Sequence, residues 1–127
     1  MSSARLDSSA ALMLCLASWA VPGAGHLWLR RSVKGLVFLI VLPVMFGIGL
    51  ALDGRIFPFM FSEPLVGLAA VADLAAGWPY FVSRLLGFGA GDVTAATYEY
   101  GNTFMIVSGL LNTLVVLDAY DIAMDRK

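Results

Sequence analysis

Between Lys34 and Asp53 the chain carries no ionisable side chain at all. As a helix rising 1.5 Å per residue, the stretch 33–52 covers roughly 27–30 Å, the thickness of the hydrocarbon core of a bilayer. A chain of 127 residues has too little interior to hide such a rod from water. Composition points the same way. Hydrophobic residues make up 60% and charged ones 13%, with a mean hydropathy of +0.85, whereas soluble domains run near ~45–50% and ~25%. The length allows one domain, residues 1–127, and we read it as an all-α integral membrane bundle.

Four apolar segments are visible, which predicts four transmembrane helices. The first, 9–29, is interrupted by Pro22-Gly23-Ala24-Gly25, so it either crosses or breaks and turns back there. The second, 33–52, has Ser32 as its expected N-cap and Pro43 in mid-span, where a kink is expected. The third opens at Ser62-Glu63-Pro64, an acid and a proline in a first turn. It runs to Ala76 and then meets Gly77-Trp78-Pro79-Tyr80. Either it ends there with Trp78 and Tyr80 at the headgroups, or it continues bent to Leu86. The fourth runs uncharged from Asn102 to Leu117. The Phe-rich connection 54–61 suits the interface, and Tyr98-Glu99-Tyr100 in the connection 87–101 suits an aromatic belt.

The N-terminus imitates a signal peptide, with Arg5, an apolar run over 10–21 and small residues after it. Asp7 is atypical of a signal, and Leu14 before Cys15 spoils a lipoprotein box, so the segment is expected to be retained. The densest basic cluster is Arg30, Arg31 and Lys34, which places the first connection in the cytoplasm of a bacterial inner membrane. Four crossings then leave Arg30, Arg31, Lys34 and Arg84 against Arg5, Arg55, Arg126 and Lys127, a tie. A first segment that turned back at Pro22-Gly23 would break it.

The most distinctive stretch runs from Val21 to Arg30. Pro22, Gly23 and Gly25 permit a sharp turn and close helix approach, and His26 follows at once. An intramembrane imidazole can ligate a metal or tetrapyrrole or move a proton; the plainer role is a hydrogen bond that fixes the turn. A b-type haem normally takes two axial side chains and this chain has one His, whereas a chlorophyll needs one ligand. Pigment contact at His26 is therefore expected only inside a larger complex.

Pro22-Gly23-Ala24-Gly25-His26, then Arg30-Arg31 and Lys34-Gly35, resembles the turn motif of the two-transmembrane-helix domain family. It departs from that domain at Leu29-Arg30-Arg31, where the family carries an aromatic and a glycine. Downstream, Tyr98-Glu99-Tyr100-Gly101-Asn102-Thr103-Phe104, Gly109-Leu110-Leu111-Asn112 and Leu117-Asp118-Ala119-Tyr120-Asp121 are similar to an uncharacterised family of small bacterial multi-span membrane proteins with the same Pro-Gly-x-Gly-His start. The matching stretches cover about a third of the chain. The resemblance implies a polytopic membrane protein and supplies no activity.

Asp73 lies in the middle of the third segment, where a carboxylate costs ~2.5–3.5 kcal/mol and should find a partner or a proton. It is a candidate relay for protons or cations, or one end of an interhelical hydrogen bond. Asn112, with Ser108 and Gly109, makes a small polar stripe on the fourth helix, so the third and fourth helices are expected to pack through the faces of Asp73 and Asn112. Asp118, Asp121 and Asp125 share a helix face and could hold a divalent ion; charges leaving a membrane are more often just solvated.

Net charge is −1, which excludes a nucleic-acid partner held by counterion release. Zinc-type histidine pairs, Walker loops, nucleophile elbows and Cys-x-x-Cys pairs are all missing from the sequence, so an enzyme is not expected. Two functions remain. One is a non-catalytic accessory subunit that sits among lipids and packs against a larger membrane complex of respiratory or photosynthetic type. The other is a small homo-oligomeric transporter or channel with Asp73 as relay.

Overall fold

The computed structural model describes residues 8–60 and 62–124. Six helices follow one another: α1 (Ser8–Ala20), α2 (Ala24–Trp28), α3 (Ser32–Ala51), α4 (Pro64–Leu74), α5 (Trp78–Leu85) and α6 (Tyr98–Ala123). Among the described residues there is no strand, only an isolated bridge between Arg55 and Ala90. The all-α reading holds. Two helices, α3 with 20 residues and α6 with 26, are long and apolar enough to cross a bilayer. The pair α4–α5 would make a third span but is bent by 104° at its break. Helix α1, at 13 residues, is too short. Four full-length spans are therefore not present among the described residues, because prolines and glycines interrupt the first and third segments. The third takes the bent alternative and ends at Leu85.

The two long helices run antiparallel and pack more extensively than any other pair. Lys34 near the start of α3 meets Asp118 near the end of α6, and Phe46 and Met105 share a core cluster near the other end. Each interrupted segment goes in from one end of this pair and comes back. Leu14 of α1 packs on Ala119 and Ala123, the helix stops beside Asn112, and Leu29 after α2 is back on that same cluster. The first segment is thus the turned-back form. From the opposite end α4 descends to Asn112, and α5 returns Tyr80 to a cluster with Phe46, Ile56 and Met105. The chain is two copies of one plan, a turned-back helix followed by a span, laid in opposite senses.

Local chemistry explains both turns. Gly23 sits at φ 86°, a conformation that costs an L side chain, and a Cβ there would strike the carbonyl of Gly35. Pro22 just before it cannot donate to a continued α1. In the second copy Gly77 has φ 87° and Pro79 follows in the first turn of α5. Several details differ from expectation. Ser32 is the first helical residue and Arg31 occupies the cap with no side-chain bond. Helix α3 continues through Pro43. Tyr98 to Gly101 belong to α6, which also runs past Asp118 and Asp121. Tyr80 is buried in the core and not at a headgroup, while Trp78 is exposed. The connection after α3 turns inward, with the Ile56 amide donating to the Gly89 carbonyl at 2.9 Å.

Candidate functional site

Helices α1 and α4 stop in the interior, so their last carbonyls have no donors within their own helix. Both ends also carry partial negative charge. Asn112, fully buried on α6, answers both: its Nδ2 donates to the carbonyl of Trp19 at 3.0 Å and to that of Ala75 at 2.8 Å. The Trp19 indole donates Nε1–H to the Leu74 carbonyl at 3.1 Å. Three N–H bonds thereby join the tips of the two turned-back helices. Gly109, one turn before Asn112, lets α4 come close, since a Cβ there would collide with the Ala72 carbonyl. Ser108 is buried too, but its hydroxyl donates to the Met105 carbonyl of its own helix at 2.7 Å.

A second polar centre lies where α2, α3 and α6 meet. His26 is fully buried, and its Nε2–H donates to Asp118 Oδ2 at 2.7 Å. Lys34 Nζ reaches the same oxygen at 3.1 Å. Phe38 packs edge-to-face with the imidazole, ring centroids 5.2 Å apart. Gly25 has no room for a side chain because Ser18 Oγ occupies that space. The motif residues Pro22, Gly23 and Gly25 therefore hold α2 against α1 and α3 while delivering His26 to Asp118. The imidazole that a haem or chlorophyll would require is enclosed, with Nε2 engaged and Nδ1 buried.

The residues of both centres lie within 13–127, the stretch that matches the model of a family of unknown function, DUF6677. The chain belongs to that family. No curated protein and no solved structure matches it. For this DUF6677 member the geometry must therefore speak for function.

Asp73 is fully buried on α4 and is not hydrogen-bonded to Asn112. Its Oδ2 accepts from the Phe57 amide at 3.1 Å, and Oδ1 has no hydrogen-bond partner. So α4 and α6 meet through Gly109, Asn112, Ala72 and Ala75, while Asp73 holds the connection after α3. Of the acidic trio, Asp125 lies outside the described residues, and Asp118 is engaged by His26 and Lys34. Among the described residues no three of His, Cys, Asp and Glu assemble into a metal site.

Sequence reasoning missed the link from His26 to Asp118 and the role of Trp19. A signal for the first existed. Lys34 and Asp118 are opposite charges at the ends of the apolar runs 35–52 and 102–117, where antiparallel packing brings them together.

Proposed function

We propose that this chain is a non-catalytic membrane protein that acts by packing against larger membrane proteins, as an accessory subunit. The observation that carries this reading is an open surface groove of about 470 Å³ between α4 and α6. Its lining combines the small side chains Ala69, Ala72, Ala75 and Thr113 with larger apolar ones such as the exposed Leu65 and Leu68. Small residues on a membrane helix let a second helix approach to backbone distance, where van der Waals contact alone can hold it. Meanwhile the interior groups that could do chemistry are bound to this chain itself: Asn112 to two carbonyls, Asp73 to an amide, His26 to Asp118.

The test is to purify the protein in mild detergent and weigh what co-migrates. Stoichiometric larger subunits support the reading, and Ala69→Leu with Thr113→Leu, which fill the groove from its surface, should strip them while melting stays put. A lone homo-oligomer overturns it.

Asp73 favours a second reading. A buried carboxylate with one unpartnered oxygen, in a bent helix pair of an oppositely oriented two-copy plan, suits a homo-oligomeric transporter that relays protons or cations. Proton flux into liposomes, abolished by Asp73→Asn, would establish it; a tight bilayer with the native chain would remove it.

The basic count supports a sidedness for either reading. Arg30, Arg31 and Lys34 sit at the end of the bundle where α1 starts and α6 finishes, and Arg55 and Arg84 belong to the opposite end. We assign the first end to the cytoplasm of a bacterial inner membrane.

A further inference from the structure

We propose that the face between α3 and α6 is a binding site for one anionic phospholipid, seated with its phosphate at the start of α3. A groove of about 350 Å³ runs there, and its walls include Val37, Val41, Leu111 and Leu114. Only two charged residues line it, Lys34 and Asp118, and these pair with each other at 3.1 Å. From Lys34 to Leu42, both on its wall, helical rise makes the groove about 12 Å long. An apolar slot that opens beside a cation at the end of a span is the shape of an acyl chain below its headgroup.

Charge selects the headgroup. Lys34 is half exposed at 52% while holding Asp118, so N–H directions remain for another acceptor. Arg30 and Arg31 are exposed on the turn that leads into α3, within a helical turn of Lys34. The Asp118 charge is met on one side by Lys34 and on the other by the buried His26. With Asp118 so engaged and Asp121 the other described acid at this end of α6, the three cations Arg30, Arg31 and Lys34 outnumber the acids, and anionic headgroups gather at such basic sites beside membrane helices. A zwitterionic headgroup gains much less. The site stands whether or not the chain has a protein partner, because it uses neither α4 nor the groove on α4.

Melting of the whole protein in mild detergent, with phosphatidylglycerol or phosphatidylcholine added, tests the site. Phosphatidylglycerol should raise Tm well above what phosphatidylcholine does, and native mass spectrometry should retain one copy. Arg30→Gln with Arg31→Gln should weaken phosphatidylglycerol roughly tenfold or more and leave phosphatidylcholine unchanged. Val41→Trp, a change at an exposed groove position, should abolish the preference while the lipid-free Tm holds. Equal stabilisation by the two lipids overturns the proposal. So does glycerol phosphate protecting as well as the lipid, which would leave the groove without a role. A dimer cross-linked through position 41 and insensitive to lipid would give the face to a second copy.

Discussion

The two halves of the molecule share one plan and close it by different means. In the first, α1 and α2 turn within three residues, and side chains lock the turn: Asp118 takes a hydrogen bond from His26 and pairs with Lys34. In the second, α4 and α5 turn through 104°, and long connections hold the turn by backbone bonds. The Phe57 amide meets Asp73, Ile56 meets Gly89, the Thr97 hydroxyl donates to the Leu52 carbonyl at 2.9 Å, and Asn102 Oδ1 accepts from the Arg55 amide at 2.7 Å. The first half has no room for loops and so depends on a few strong contacts. The second spreads the same task over four hydrogen bonds to backbone groups, so no single one of these bonds carries its turn.

Substitutions should separate the halves in a definite order. Gly109→Leu is the most damaging, since its side chain meets the α4 backbone at Ala72; we expect a loss of about 3 kcal/mol or more, read as a collapse of Tm in detergent. Asn112→Leu removes two bonds and leaves two helix ends bare, so about 2–4 kcal/mol should go, and both halves should gain hydrogen exchange together. Loosening of one half alone would show that the tips are not joined.

Asp118→Asn keeps an acceptor but loses the charge. We expect about 1–2 kcal/mol, with faster exchange confined to α2 and the start of α3. Equal loosening of α5 would erase the contrast between the halves. The smallest effect belongs to the second half. The Thr94 hydroxyl and amide, at 2.6 and 3.0 Å, hold the Asp92 carboxyl below the usual carboxylate range. Its folded value is lowered, so its contribution is present above the ordinary Asp value and fades as pH falls through the folded one. Asp92 is fully exposed, so Asp92→Ala should lower Tm only slightly at neutral pH, the smallest shift of the set, and the difference should vanish in acid.

The spans were legible because a bilayer asks for a long uncharged run, and 35–52 and 102–117 are such runs. The turn at Pro22-Gly23 was legible as one of two alternatives, since φ preferences of proline and glycine are local. The partner of Asn112 was not. An amide on one helix gives no hint that it binds carbonyls, and any residue with a backbone could supply them. Asp118 read as solvated for a similar reason: its partners lie 84 and 92 positions away, and only the antiparallel packing of α3 on α6 brings them near.

The Asn112 bridge also dates the maturation of the protein. Translation delivers both turned-back helices before residue 112 exists, so their tips can be sealed only from behind, when the final span threads into place. A nascent chain arrested short of that residue carries two unfinished hairpins and should be cut by membrane proteases, whereas one released just beyond α6 should resist them.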